Sequence, residues 1–261
     1  SRTSKGRAIQ NLINIEQDDK VKAFICTKDL KDDDYINNHY VIMATKKGQV
    51  KKTSLEQYSR PRVNGINAIT IKEDDELLEA KLTDGNSQVM LALKSGKAIR
   101  FEEAKTRPMG RNASGVRGIR LQHDQDEVIG MVAVNDMESN ILVVSSNGYG
   151  KRSRLDDYRV TNRGGKGVKT ISITEKTGDL VAIKNVDDSN GLMIINKSGI
   201  AIRMAVEDLR VMGRATQGVK LINIKDGDSI AAVAKVIHEK EEDQHDEELE
   251  SSDGNNTNLE Q

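Results

Sequence analysis

Ser153-Arg154-Leu155-Asp156-Asp157-Tyr158-Arg159-Val160-Thr161-Asn162-Arg163-Gly164-Gly165-Lys166-Gly167-Val168-Lys169-Thr170 is a basic loop holding three glycines, set between two apolar strand-like runs. Just before it stands Ile141-Leu142-Val143-Val144, a short link through Gly148, and Arg152. That pattern of apolar run, tight link, glycine and a basic residue four later recurs. It runs from Val41 through Gly48 to Lys52, from Val89 through Gly96 to Arg100, and from Leu192 through Gly199 to Arg203. The glycines are spaced 48, 52 and 51 residues apart. Each link reads as a hairpin turn in which glycine supplies a positive φ.

A second element alternates with these hairpins: a polar or basic loop, a glycine and a short alternating strand. It occurs at Gly6, Gly65, Gly115, Gly167 and Gly218. An acidic turn follows each, and then another apolar strand, as in Ile230-Ala231-Ala232-Val233-Ala234-Lys235-Val236. The unit is therefore about 50 residues with about four strands of period two. Radial repetition of four-stranded sheets predicts an all-β, propeller-like disc. Five copies of the second element against four hairpins predict five to six blades, the first incomplete, as in a chain with a truncated start. Residues 27–40 read as a polar loop insertion.

Composition sets the other limits. Aromatic residues make up 3% and tryptophan is absent, so Ile, Val, Leu and Ala must pack the core. Cys26 has no partner for an internal disulfide, which fits a reducing cytoplasm. No apolar run approaches the roughly 20 residues of a membrane span, so no membrane association is expected. The net charge of −1 conceals ten Asp/Glu against Lys240 from residue 239 onward, which leaves the rest at +8. Residues 1–238 read as one β domain and 239–261 as a disordered acidic tail, either a solvated segment that aids solubility or a competitor with a polyanion for the basic body. His39, His123, His238, His245 and Cys26 share no metal-ligand spacing, so no metal site is expected. No nucleophile, nucleotide-loop or zincin motif is present, and no catalytic constellation emerges.

The basic loops carry the functional information. Glycine-rich turns offer backbone N–H groups to anions, and flanking Arg and Lys add charge-assisted bonds to phosphate. Any one such loop reads as an ordinary solvated turn; five in register on a basic body read as a DNA-wrapping rim. Candidate phosphate contacts are Arg163, Gly164, Gly165, Lys166, Gly167 and Lys169, with Arg60, Arg62, Arg111, Arg117 and Arg214 on other loops. The basic residues of the hairpins join them: Lys51, Lys52, Arg100, Lys151, Arg152 and Arg203. With so few aromatics, base stacking is not expected, and the partner is duplex DNA held without sequence preference.

These residues resemble a known family. Val50-Lys51-Lys52-Thr53, Arg107-Pro108-Met109-Gly110, Gly115-Val116-Arg117-Gly118-Ile119-Arg120-Leu121, Asn147-Gly148-Tyr149-Gly150-Lys151-Arg152 and Val211-Met212-Gly213-Arg214 are similar to the C-terminal β-pinwheel of DNA gyrase A. The family's box has the form Gln-Arg/Lys-Arg-Gly-Gly-Arg/Lys-Gly. Arg163-Gly164-Gly165-Lys166-Gly167 fit its last five places, while Thr161 and Asn162 depart from the first two. The loop is either the working box or a secondary wrapping loop beside a box upstream; we favour the second.

The resemblance implies a non-catalytic domain that bends DNA chirally for an ATP-dependent type II topoisomerase introducing negative supercoils. It implies an A2B2 assembly with the N-terminal region of gyrase A and with gyrase B, in the bacterial cytoplasm at the nucleoid. ATP and Mg would bind elsewhere, and no cofactor is expected in this chain. The cleaving tyrosine is not Tyr58, Tyr149 or Tyr158. The matching domain of topoisomerase IV is the nearer alternative and a protein-binding propeller the farther one.

Overall fold

In the computed structural model, residues 13, 15, 19–225 and 227–237 are described. The expectations of a basic loop at residues 2–5, an incomplete first blade before residue 19 and an acidic tail lie outside them. The described residues form four antiparallel sheets, here blades I to IV.

Each blade is built on one of the sequence hairpins. These are β1 (Tyr40–Thr45) with β2 (Gln49–Ser54), β4 (Gln88–Leu93) with β5 (Lys97–Glu102), β8 (Asn140–Ser145) with β9 (Tyr149–Arg154), and β12 (Asn190–Asn196) with β13 (Ala201–Ala205). The turn glycines Gly48, Gly96, Gly148 and Gly199 have φ of 84°, 79°, 80° and 88°, the left-handed region that the tight link demands. The strand after each acidic turn, β3 (Leu77–Thr83), β7 (Val128–Val134), β11 (Leu180–Val186) or β15 (Ile230–Ile237), pairs with the first hairpin strand.

The fourth strand is exchanged between repeats. β6 (Val116–Arg117) follows the hairpin of blade II but pairs with β2 of blade I, through Val50↔Val116. In the same way β10 (Val168–Lys169) returns to β5, and β14 (Val219–Lys220) returns to β9. The sequence repeat and the spatial blade are therefore offset by one strand. Blade IV has three strands among the described residues. The predicted strand after Gly65 has no sheet partner among them; Thr70 instead donates its N–H to the Ala113 carbonyl at 3.3 Å.

The cores lie between the blades. Ile42 and Ala44 of β1 meet Val89, Leu91 and Phe101 of blade II. Met90 and Ala92 point the other way, onto Ile141 and Val143 of blade III. Leu142 and Val144 pack on Leu192 and Ile194 of blade IV. Successive residues of one strand thus serve two different cores, so the inner strands are buried on both faces. Near the axis, the start of each inner strand is tied to the preceding turn. Val128 N–H donates to Lys46 O at 2.8 Å, Leu180 to Lys94 at 3.0 Å and Ile230 to Ser146 at 2.9 Å.

Residues 27–40 are more ordered than a simple polar insertion. They include α1 (Asp33–Asn38), whose N-cap Asp32 accepts from the Asp34 and Tyr35 N–H groups. Its Ile36 is buried with Val41, Met43 and Leu55 on the outer face of blade I. One apolar anchor and one cap suffice for a turn and a half of helix, too short for periodicity to reveal.

Candidate nucleic-acid interface

The rim loops share one construction. After the second hairpin strand the chain makes a 3₁₀ turn, at Leu55–Tyr58, Glu103–Lys105 and Leu155–Asp157. In blades II to IV it then drops a side chain into the interior: Thr106, Tyr158 or Leu209. The next residue emerges as exposed Arg107, Arg159 or Arg210. The backbone then runs beside the preceding hairpin, bridging Pro108 to Lys52, Val160 to Arg100 and Val211 to Arg152. Three residues past the bridge, Arg111, Arg163 and Arg214 are half-buried on the loop. Gly115, Gly167 and Gly218 follow, and then exposed Arg117, Lys169 and Lys220 on the donated strands.

The rim therefore presents three rows of cations in register, each member 52 and then 51 residues after the last. Neighbouring loops are also tied together. Arg163 donates to Lys105 O at 3.0 Å and Arg117 O at 3.1 Å, and Arg214 donates to Asp157 O and Lys169 O, both at 2.9 Å. Those bonds orient each guanidinium while its charge persists. Within loop 159–167, Gly165 and Lys166 form the exposed tip. Gly164 N–H is taken by Gly118 O at 2.6 Å, and Gly165 O accepts from Arg120 N–H at 2.8 Å. At Gly167, φ is +71° and an added Cβ would lie 2.6 Å from Ala98 O. That glycine serves close packing on β5, a role different from the open anion cradle expected for it.

Five predicted contacts need correction. Lys51, Lys52, Arg100, Lys151 and Arg152 are buried, with exposures of 0, 4, 6, 1 and 7%. They lie on strands covered on both faces, so a basic side chain there cannot reach a phosphate. Each is satisfied internally instead, as a buried charge must be. Lys52 pairs with buried Glu103 at 3.0 Å and lies 4.1 Å from the Tyr40 ring centroid. Arg100 donates to Leu155 O at 2.7 Å and Tyr158 O at 2.9 Å, gripping the 3₁₀ turn of the next blade. Arg152 does the same at Leu209 O and also pairs with Asp188. Lys51 donates to Ala68 O at 2.5 Å and to Arg111 O; Lys151 donates to Gly213 O at 2.6 Å and Thr216 Oγ1 at 3.0 Å. Burial lowers both ammonium groups to about 8, with the Arg111 and Arg214 guanidinium groups adding to the shift and Asp157 opposing it at Lys151.

The other predicted residues are at the surface. Arg60, Arg62, Arg117, Lys166, Lys169 and Arg203 are exposed, and Arg111, Arg163 and Arg214 are half-buried. Arg107 and Arg210 open two of the basic loops read from the sequence, those reaching Arg111 and Arg214, while Arg159 and Lys220 were not among the predicted contacts; the repeat spacing that relates them to one another is the signal that finds them. Among the described residues no group of three His, Cys, Asp or Glu is placed to hold a metal, and no helix is long and apolar enough to cross a membrane.

Comparison with known proteins adds the family. The family described as DNA gyrase C-terminal domain, beta-propeller, matches residues 39–84, 89–135, 139–187 and 192–237. The chain is 44% identical over 240 residues to DNA gyrase A of Staphylococcus epidermidis, covering 92% of the chain and 26% of that protein. It is 43% identical over 248 residues to the Staphylococcus aureus (strain MRSA252) protein of the same name, covering 95% and 27%. The chain thus spans about a quarter of the length of these curated relatives. Among solved structures, the C-terminal domain of DNA topoisomerase IV matches with a TM-score of 0.81 at 24% identity, covering 94% of this chain and 75% of that one. A DNA gyrase A C-terminal domain matches at 0.78 and 23% identity, covering 90% and 77%. At such identities the two structures speak for the fold alone. Each matched segment covers the hairpin of one blade and the strand after its acidic turn, and the chain belongs to the DNA gyrase C-terminal domain family of β-propellers.

Proposed function

We propose that this domain binds duplex DNA along its rim and bends it, serving a gyrase-type, ATP-dependent type II topoisomerase that introduces negative supercoils. The observation that carries this is the three rows of rim cations, Arg107/Arg159/Arg210, Arg111/Arg163/Arg214 and Arg117/Lys169/Lys220, repeated blade by blade. A row of that kind follows a polyanion backbone, and with no base-reading element beside it the contacts are to phosphates. Bending 20–30 base pairs by 40–90° costs on the order of 1–6 kcal/mol, which a set of roughly 6–10 phosphate contacts can supply. Catalysis would lie outside this chain, with ATP and Mg bound by other parts of an A2B2 holoenzyme in the bacterial cytoplasm, at the nucleoid. Residues 239–261 would compete with DNA for the same rim.

The test is wrapping of nicked circular DNA by the chain, followed by ligation and measurement of the linking number. A dose-dependent shift supports chiral wrapping by these loops. Salt-sensitive binding without a shift favours the second reading, a domain that holds DNA without wrapping it. No binding at low salt overturns both.

A further inference from the structure

Three residues after the hairpin glycine, the four blades carry Lys51, Ile99, Lys151 and Ile202 in turn. The two lysines are 0 and 1% exposed, yet their ammonium groups end at the rim. Lys51 meets the carbonyls of Ala68 and Arg111, and the Tyr58 hydroxyl shares the first of these at 3.0 Å. Lys151 meets Gly213 O and Thr216 Oγ1, the two residues flanking the Arg214-Ala215 pair. Arg111 and Arg214 are equivalent members of one cation row. Between them stands loop 159–167, which lies over Ile99; a Cβ on Gly165 would be 3.4 Å from Ile99 Cδ1. An open cleft lies there, bordered by Ile99, Thr161, Gly165 and Lys166.

We propose that Lys51 and Lys151 are positioning residues that hold the loops of Arg111 and Arg214 in their DNA-binding shape, a tie that Ile99 cannot give to loop 159–167. The proposal rests on the rim being the DNA-binding surface. Its physical basis is that a buried ammonium with two fixed oxygen partners restrains the loop that carries the arginine, at Arg111 O and Ala68 O for Lys51 and on both sides of Arg214 for Lys151, lowering the ordering cost of binding. An isoleucine offers the loop above it no such bond. Loop 159–167 is held instead by its backbone bonds to Gly118 and Arg120 and by the Arg163 guanidinium. Neither lysine touches the DNA.

The test uses the full 261-residue chain with Lys51→Met, Lys151→Met and Arg163→Ala, reading amide hydrogen exchange and titration of a short duplex at several salt concentrations. Lys51→Met should speed exchange at residues 65–70 and 110–115 alone, and Lys151→Met at residues 213–218 alone. Each should weaken DNA binding several-fold with the slope of log affinity against log salt unchanged. Arg163→Ala should reduce that slope by about 0.9, as loss of one phosphate contact does. Normal affinity in Lys→Met variants with loosened loops overturns the positioning role. A slope lowered by about 0.9 in those variants overturns it too, since it means phosphate contact. A chain that binds no duplex before any substitution overturns the rim itself, a separate failure. If a methionine variant does not fold, the unsubstituted chain still decides. Its Lys51 and Lys151 ammonium protons should exchange with water far more slowly than those of Lys166 and Lys169, and equal rates sink the proposal.

Discussion

Blades I and III differ from blade II inside a shared frame. Over the strand after the turn, blade I carries Lys51-Lys52-Thr53 and blade III carries Lys151-Arg152-Ser153, but blade II carries Ile99-Arg100-Phe101. The middle cation is common to all three and serves one purpose, gripping the 3₁₀ turn or the loop end of the next blade. The flanking pair alternates between polar and apolar. Where it is polar, a tyrosine occupies the loop above, Tyr58 or Tyr158; where it is apolar, Thr106 stands there. Tyr158 is so enclosed that burial pushes its hydroxyl up to about 12. Equivalent positions in a repeat are thus free to differ as long as each interior is internally consistent, because each blade interface packs as its own core.

The comparison can be broken most forcefully at the third position. Phe101→Ala empties a fully buried aromatic site in blade II and should cost about 3–5 kcal/mol. Ser153→Ala at the same register in blade III should cost about 1 kcal/mol or less, because one hydroxyl is lost and little volume. Urea unfolding measures both, and equal costs would mean that the two interiors are not distinct.

The shared cation comes next. Glu103→Ala leaves the Lys52 ammonium buried without its carboxylate and should destabilise by about 3 kcal/mol or more. Arg100→Ala leaves the Tyr158 carbonyl unmatched and Leu155 O with the Tyr158 N–H alone, and should cost about 1–3 kcal/mol. Neither should alter the salt slope of DNA binding, in contrast to an exposed residue of the same charge such as Arg159.

The alternating lysines give a pH effect of one sign. In the folded chain Lys51 and Lys151 lose their protons near 8, against 10.5 when unfolded. Between those values the unfolded chain binds more protons, so stability rises with pH through that window, by about 1.4 kcal/mol per unit per lysine at most. Lys184, also lowered by burial, adds in the same direction. Tyr58 and Tyr158, raised by burial, act oppositely above pH 10, where the unfolded phenols ionise first. Unfolding measured from pH 7 to 10 should show the rise, and the Lys51→Met/Lys151→Met pair should remove most of it. A flat profile in the unsubstituted chain would contradict the burial of these ammonium groups.

The smallest effects belong to the rim. Arg107→Ala, Arg159→Ala and Arg210→Ala should each lower the salt slope by about 0.9 and leave thermal stability nearly unchanged. Unequal slopes within this row would sharpen the comparison by showing which blades the duplex contacts.

Much of this was legible in the chain. The spacing of Gly48, Gly96, Gly148 and Gly199 located the four hairpins of the described residues, because a three- or four-residue link places one residue at positive φ, where glycine is favoured. Four of the five acidic turns correctly announced a strand, β3, β7, β11 and β15, but the turn at Asp18-Asp19 is followed by no strand among the described residues 19–32. Helix α1 stayed hidden because a single buried residue, Ile36, makes no period.

By itself, then, the sequence determined the all-β class, the hairpin positions, the repeat length and the basic character of the loops, since these depend on local turn chemistry and alternation. Only the tertiary structure decided that β6, β10 and β14 cross to the preceding blade, and that Lys51, Lys52, Arg100, Lys151 and Arg152 face inward while Arg107, Arg159 and Arg210 face out. A period of two tells which residues share a face of a strand. It does not tell whether the other face meets water or a second sheet, and here each inner strand is sandwiched between two blades.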